Sequence, residues 1–187
     1  MQIAPSETTE RPRLILITGI MAAGKSTVAQ QLAERFPKSV HLRGDVFRRM
    51  IVRGQAPMDF ELSAEAYQQL TLRYQIAATV ADLYLRAGFT VVYQDIILGP
   101  ELAAVAQYYR HHPLYIVVLC PAPAVVAARE VQRNKSGYHQ AATVADFDRV
   151  LRTDTPRLGL WLDTTELTAA ETVDQILLRL ADAYVLH

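Results

Sequence analysis

Cysteine is nearly absent from this chain: Cys120 is the only one in 187 residues, so no disulfide can form within it. Chains without disulfides are typical of reducing compartments, and we therefore expect a cytoplasmic protein. The expected role of Cys120 is a small buried residue at a strand end rather than a catalytic thiol. The polar first twelve residues lack the apolar core of a signal peptide, which agrees with that location.

The sequence also lacks an excess of charge of either sign and any long apolar run. Nineteen lysines and arginines balance nineteen aspartates and glutamates, with no basic tract. Long nucleic acid is therefore not an expected partner, although a short oligonucleotide or a nucleotide stays open. No apolar run approaches the roughly 18 residues of a membrane span, so no membrane partner is expected. The sequence does not indicate an oligomeric state.

What the chain does contain is a phosphate-binding signature. Residues 19–26 read G-I-M-A-A-G-K-S and match G-x-x-x-x-G-K-[ST] at every fixed position. An apolar run at 14–17 precedes the motif and an amphipathic stretch at 27–36 follows it, which is the strand–loop–helix order that the motif requires. Glycines let the backbone approach phosphate oxygens, and the helix N-terminus adds partial positive charge. The pattern predicts binding of a nucleoside triphosphate.

The motif assigns roles to individual side chains. Lys25 is expected to reach the β- and γ-phosphates and to be catalytic, and Ser26 is expected to hold Mg²⁺. A turn after the last apolar run, 162–165, is expected near the nucleoside base, although its residues also suit a helix start. The predicted nucleotide contacts are Gly19, Ala22, Ala23, Gly24, Lys25, Ser26, Thr27, Arg129 and Thr165.

Apolar runs alternate with helical patterns along the whole chain. This alternation predicts a three-layer α/β domain over 1–187, in the P-loop NTPase class, after an extended or disordered tail at 1–12. We expect a five-stranded parallel sheet with helices on both faces, and a last helix that ends near Tyr184. Ligands of such sheets bind at the carboxyl ends of the strands. The predicted strands are 13–18, 39–43, 89–93, 114–119 and 158–162.

Asp45 directly follows the second predicted strand, in H-L-R-G-D. Phosphoryl transfer to an alcohol needs a group that orients the hydroxyl and accepts its proton, and we predict Asp45 in that role. An N-cap is the alternative. Arg48, three residues on, can bind an anionic acceptor group, orient Asp45 or stabilise transferred charge, or it can face solvent. Phe47 is an apolar candidate for the acceptor site, where core packing explains it as well.

Asp95 ends the third predicted strand, in V-V-Y-Q-D. A carboxylate at that place in a P-loop protein can hold Mg²⁺ through water. Contact with the acceptor is an alternative for Asp95 and for Gln94. An ordinary turn or N-cap aspartate is the remaining interpretation.

Arg129 and Arg133 lie one helical turn apart, directly before a polar segment at 134–140. We predict a lid at about 129–142, from which both arginines act in catalysis by closing over the phosphates and stabilising the transition state. The alternative is a pair of exposed arginines, which the helix dipole favours at a C-terminus.

In their order along the chain, these segments resemble the chloramphenicol phosphotransferase-like P-loop kinases, from about Arg13 to Leu180. The resemblance is carried by the P-loop, Asp45, V-V-Y-Q-D-I-I-L-G, the Arg129–Arg133 pair and L-D-T-T-E-L-T-A-A-E-T-V-D-Q-I. Gluconate kinases and the kinase domains of polynucleotide kinases are similar in plan. The resemblance implies ATP as donor and a hydroxyl of a small molecule, antibiotic-like or another metabolite, as acceptor. Residues 53–62 depart from the chloramphenicol enzyme and offer Met58 and Phe60 as apolar contacts.

Two other functions stay open at this stage. A kinase of nucleoside or oligonucleotide 5′-hydroxyls is one, because the D-x-x-R spacing of Asp45 and Arg48 resembles that of polynucleotide kinases. An NTP-hydrolysing regulatory switch is the other. A guanine-specific switch needs N-K-x-D, and Asn134-Lys135-Ser136-Gly137 fails at the acid. D-x-x-G fails as well, because Gly99 comes one residue too late after Asp95.

Overall fold

Five parallel strands form the sheet that the apolar runs predict. A computed structural model describes residues 11–131 and 143–185, in which the strand order is β2-β3-β1-β4-β5. The strands are β1 Leu14–Thr18, β2 Ser39–Arg43, β3 Thr90–Gln94, β4 Leu114–Leu119 and β5 Leu160–Leu162. Each begins within two residues of its predicted start. The predicted tail falls mostly outside the described residues.

Helices cover both sides of this sheet, as predicted. The helices are α1 Lys25–Ala33, α2 Asp45–Arg49, α3 Ala64–Arg86, α4 Glu101–Tyr108, α5 Pro123–Val131, α6 Val144–Arg149 and α7 Ala169–Leu178. A π-helical turn, Val150–Asp154, extends α6. In the described part of the chain, no helix has the length and apolarity needed to cross a membrane.

The central strand, β1, is buried along its whole length and lies between β3 and β4. Because both faces of the sheet are covered, its residues form a continuous apolar run rather than an alternating one. Cys120 follows β4 and is buried, as predicted, and burial raises the pKa of its thiol. Because β1 is the central strand, the loop that follows it lies in the middle of the carboxyl edge of the sheet, where ligands of such folds bind.

The C-terminal segment differs from the prediction of one helix reaching Tyr184. Helix α7 ends at Leu178, a 3₁₀ turn spans Leu180–Ala183, and a short strand, β6 Tyr184–Val185, pairs antiparallel with β4. The pairing buries Val185. The backbone of β6 forms its hydrogen bonds with β4, whereas in a helix these bonds would form within the segment itself. Helical spacing cannot predict this strand, because the partner lies far away in the sequence.

Two backbone hydrogen bonds continue the sheet just past the strand ends. The Asp95 amide donates to the Ile17 carbonyl at 3.2 Å, and the Gly44 amide donates to the Gln94 carbonyl at 3.1 Å. These bonds tie the ends of β1, β3 and β2 together in that order. The P-loop, Asp95 and Asp45 are thereby fixed along one edge of the sheet.

Candidate active site

The P-loop, residues 19–24, closes tightly against the end of β4. Gly19 has a φ of +146°, and a Cβ there would lie 2.5 Å from the Leu119 carbonyl oxygen. No side chain fits that space, which explains the glycine at the first fixed position of the motif. Helix α1 begins directly after the loop, at Lys25. The backbone amides of the loop and of the first helical turn are thus placed for phosphate oxygens.

Two backbone carbonyls of the P-loop hold the Lys25 side chain over the loop. This buried side chain donates from Nζ to the carbonyls of Gly19, at 2.9 Å, and Ile20, at 2.7 Å. Ser26 and Thr27 follow in the first turn of α1 and are exposed. The ammonium and the two hydroxyls therefore lie together at the helix N-terminus.

A cleft of about 570 Å³ runs from the P-loop across the ends of β2 and β3. Most of the predicted site residues meet there, although the sequence separates them by more than one hundred positions. The predicted residues that line it are Ala22, Gly24, Lys25, Ser26, Thr27, Asp45, Gln94, Asp95 and Arg129. Met21, Arg73 and Ile96 complete the wall. This phosphate cleft is the candidate active site.

Asp45 contributes a half-exposed carboxylate to the phosphate cleft. Its Oδ2 accepts a hydrogen bond from Arg49 at 2.8 Å, and Arg43 approaches Oδ1 at 3.6 Å. Gly44, not Asp45, is the N-cap of α2, and Asp45 lies inside the first turn. Asp45 is therefore not an N-cap. Two arginines position its carboxylate instead.

Asp95 is buried and bonded at both oxygens. Arg73 forms an ion pair with Oδ1 at 3.0 Å, the Ile96 amide donates to the same oxygen at 2.8 Å, and the Tyr93 hydroxyl donates to Oδ2 at 3.0 Å. Burial raises the pKa of the Asp95 carboxyl, and the charge of Arg73 opposes that rise. The hydrogen bonds from the Ile96 amide and the Tyr93 hydroxyl also favour the charged form of the carboxyl. A side chain at Gly44 would collide with Asp95, so this carboxylate also fixes the approach of β2.

Arg73 is a site residue that sequence reasoning missed. It lies on α3 between two apolar positions, Leu70 and Tyr74, and the helical spacing of those neighbours identified only a core helix. Its side chain is 12% exposed and reaches the phosphate cleft through Asp95. An arginine one position from a buried stripe was the only sequence signal for this contact.

Replacing Arg73 by methionine is expected to lower the free energy of unfolding by about 3–5 kcal/mol. The substitution keeps apolar bulk but leaves Asp95 buried without its countercharge, which is the costly way to break an ion pair. Arg86→Met is the matched control on the same helix, because its pair with Asp82 is 76% exposed at the arginine side chain. That control should change stability by less than about 1 kcal/mol. Urea titrations of both variants make the comparison, and equal effects would contradict a structural role for the buried pair.

Two residues predicted to bind substrate lie away from the phosphate cleft. The Arg48 guanidinium donates to the Ala56 carbonyl at 2.9 Å, in the loop between α2 and α3. Phe47 packs against the hydrophobic core. Their contact with substrate stays a prediction.

A smaller pocket of about 240 Å³ adjoins the P-loop on the side of α5 and α7. Ala23, Gly24, Thr27 and Arg129 line it together with Thr164. The buried Thr164 hydroxyl has no hydrogen-bond partner within the described ranges.

The neighbouring Thr165, which sequence reasoning chose, is used structurally. It accepts from the Ala122 amide at 2.8 Å and donates to the Asp163 carboxylate. The same turn therefore offers Thr164, rather than Thr165, to the pocket. Spacing alone could not distinguish two adjacent threonines.

Arg129 lies between the two cavities. It lines both of them, and its Nη1 is 3.9 Å from where a Cβ on Gly24 would be. Its guanidinium is therefore within reach of anything bound on the P-loop. Arg133 and residues 132–142 of the predicted lid lie outside the described residues.

A family model for the AAA domain matches residues 14–157, which is more than half of the chain, so the chain belongs to that family of P-loop proteins. No curated protein matches the chain. The narrower resemblance to the chloramphenicol phosphotransferase-like group stays a prediction.

Solved structures share the fold at low identity. A gluconokinase from Sinorhizobium meliloti 1021 has a TM-score of 0.65 and 18% identity, over 92% of this chain and 93% of its own. The tunicamycin resistance protein of Deinococcus radiodurans has 0.66 and 19%, over 95% and 100%. The Mycobacterium tuberculosis APS kinase CysC, solved with AMPPNP and APS, has 0.64 and 15%, over 91% and 98%. These likenesses confirm the predicted P-loop kinase fold.

Proposed function

We propose that this protein is an ATP-dependent phosphotransferase that phosphorylates a hydroxyl of a small molecule. One observation carries the proposal: a phosphate-binding loop with its lysine, an accessible carboxylate and an arginine line a single cleft, through Lys25, Asp45 and Arg129. Hydrolysis alone needs no carboxylate placed to receive an acceptor proton. The gluconokinase and APS kinase neighbours support the same class of reaction.

The donor side of the cleft fits a nucleoside triphosphate. Gly19 permits the close backbone approach, and Lys25 is already held over the loop by two carbonyls. Ser26, exposed at the start of α1, would hold Mg²⁺, with Asp95 acting through water as its other partner. The metal, when bound, neutralises charge on the phosphate oxygens. The pocket beside Thr164 suits the nucleoside, because its free hydroxyl can pair with a base or ribose edge.

On the acceptor side, Asp45 orients the hydroxyl and takes its proton. The acceptor oxygen forms a bond to the terminal phosphorus while the bond from that phosphorus to the leaving diphosphate breaks. Arg43 and Arg49 hold the carboxylate in place from either side. Arg129 and Lys25 stabilise the charge on the transferring group, because both reach the P-loop.

Arg129→Ala is expected to lower kcat by about 10²-fold while changing the KM for ATP far less. The guanidinium is expected to act on charge that develops in the transition state, and one such donor supplies about that factor. Arg110→Ala, an exposed arginine after α4, is the control. Steady-state kinetics with varied ATP separates the two constants. An effect confined to the KM for ATP would identify Arg129 as a nucleoside contact instead.

The proposed function is tested by screening ATP consumption over alcohols of several classes, with mass detection of a phosphorylated product. The classes are aromatic alcohols, antibiotics, sugars, sugar acids, nucleosides and 5′-hydroxyl oligonucleotides. We expect phosphorylated product within one class. ATP or GTP hydrolysis that no alcohol accelerates would favour a regulatory switch. A product only from the 5′-hydroxyl compounds would favour the nucleoside or oligonucleotide kinase.

A further inference from the structure

A second large cavity, of about 460 Å³, adjoins the phosphate cleft. Met21 of the P-loop, Ile96 after β3 and Arg73 of α3 line both spaces. A molecule in this second cavity would therefore have one end at the edge of the phosphate cleft, which Asp45 also lines. The volume lies within the range of pockets that enclose drug-sized ligands.

Carbon forms most of the wall of this second cavity. Its apolar side chains come from the α2–α3 loop, α3, the turn after β3 and α6. Six of them are Met58, Phe60, Leu62, Leu70, Leu98 and Phe147. Phe60 and Phe147 meet edge to face with ring centroids 5.1 Å apart, so the α2–α3 loop is joined to α6 across the cavity. We call these six residues the apolar lining.

Two acidic side chains, Asp59 and Glu101, and two basic ones, Arg73 and Arg149, also line this cavity, so they bring it no net charge and favour a neutral ligand. Arg73, the cation shared with the phosphate cleft, is already bound to the Asp95 carboxylate. Glu101 accepts a hydrogen bond from the Tyr67 hydroxyl at 3.2 Å, and Arg149 lies 3.9 Å from Asp154. The apolar part of the wall offers a polyol or sugar acid no replacement for the bonds to water that it would lose there.

We infer that the acceptor is an apolar alcohol, one that carries at least one aromatic or aliphatic ring and presents a single hydroxyl to the phosphate cleft. This inference rests on the proposed phosphotransferase function and names the substrate class for it. The ring system lies against the apolar lining, and the hydroxyl lies near Met21 and Ile96, on the path to Asp45. Phe60 is 38% exposed without a ligand, and a bound ring would cover it.

The test compares binding of phenylethanol and naphthylethanol with binding of glucose and gluconate. Isothermal titration on the intact chain without nucleotide measures binding apart from transfer. We expect the aromatic alcohols to bind and the two sugars not to. Affinity should rise about fivefold from phenyl to naphthyl, since one fused ring adds apolar area to be buried.

Phe60→Ala is the diagnostic variant, and Tyr84→Ala is its matched control. Tyr84 is 39% exposed and meets Phe89 edge to face at 5.6 Å, so it imitates Phe60 in exposure and ring contact but lies outside the cavity. Phe60→Ala should weaken naphthylethanol binding about tenfold, and Tyr84→Ala should leave it unchanged. An affinity that is the same in both variants would overturn the inference.

Product analysis with ATP separates this inference from the proposed function. Phosphorylated naphthylethanol supports both the apolar-alcohol inference and the phosphotransferase function. Phosphorylated glucose or gluconate, with no aromatic alcohol bound, overturns the inference and leaves the phosphotransferase function standing. Aromatic binding that Phe60→Ala weakens, with no phosphorylated product from any alcohol in the wider screen, overturns the proposed function and the acceptor assignment with it.

Discussion

Lys25→Ala is expected to lower kcat/KM for phosphoryl transfer by about 10³-fold or more. The ammonium is held beside the P-loop by the carbonyls of Gly19 and Ile20, in the cleft where we propose that the phosphates bind. Its removal weakens nucleotide binding and withdraws a charge from the transition state. A single preorganised donor to developing charge supplies about 10²–10³, and loss of nucleotide affinity adds to that.

Lys38→Ala is the control for that variant. Lys38 donates to the Ala87 carbonyl at 2.6 Å and lies over the Phe89 ring, away from the phosphate cleft. It should keep activity within about twofold, as expected for a surface residue of no catalytic role. Coupled ADP-release assays on both variants give the comparison. Unchanged activity in Lys25→Ala would remove the P-loop from the proposed function.

Asp45→Asn is expected to lower kcat by about 10²-fold or more while nucleotide affinity stays the same. Asparagine keeps the shape of the side chain but cannot accept the acceptor proton, and general-base catalysis contributes about 10²–10⁴. The carboxylate lines the cleft from α2, whereas the amides and the lysine that we propose hold the phosphates belong to the P-loop and α1. Chemistry and donor binding should therefore separate in this variant.

Asp174→Asn is the matched control, because Asp174 likewise lies at the surface and pairs with an arginine, Arg35, at 2.7 Å, but lies outside the phosphate cleft. It should leave transfer unchanged. Nucleotide titration calorimetry combined with transfer kinetics resolves the two effects. If Asp45→Asn lost nucleotide affinity in place of turnover, Asp45 would be a structural or metal-linked residue, and the hydroxyl would need another base.

The sheet and the P-loop could be predicted from sequence because local signals specify them. Both faces of β1 are covered, so its sequence is an unbroken apolar run. Position 19 is glycine because a side chain there would collide with the Leu119 carbonyl. Asp45 and Asp95 could be predicted at the same edge because parallel strands end together. The catalytic roles of these site residues stay predictions.

The missed features depend on contacts between distant segments. Arg73 reaches Asp95 only because α3 packs against β3 in one rotational setting, and a turn of the helix by one residue would direct a different side chain there. The Thr165 hydroxyl, and not that of Thr164, accepts from the Ala122 amide, which belongs to a distant segment. Strand β6 needs β4 as its partner. Periodicity along one segment carries no information on any of these pairings.

The apolar lining was predicted only in part, through Met58 and Phe60. Phe147 and Leu98 join them from segments far along the chain, and the pairing of Phe60 with Phe147 exists only in the folded protein. The sequence therefore indicates apolar groups on the acceptor side but not the cavity that they form.

A crystal structure with Mg²⁺ and a non-hydrolysable ATP analogue tests the central claim most directly. We expect the triphosphate on the P-loop with Lys25 at its terminal phosphates. The Asp45 carboxylate should face the γ-phosphorus across a gap that admits one alcohol oxygen. A nucleotide bound with Asp45 turned away, or with protein atoms filling that gap, would contradict transfer to a hydroxyl.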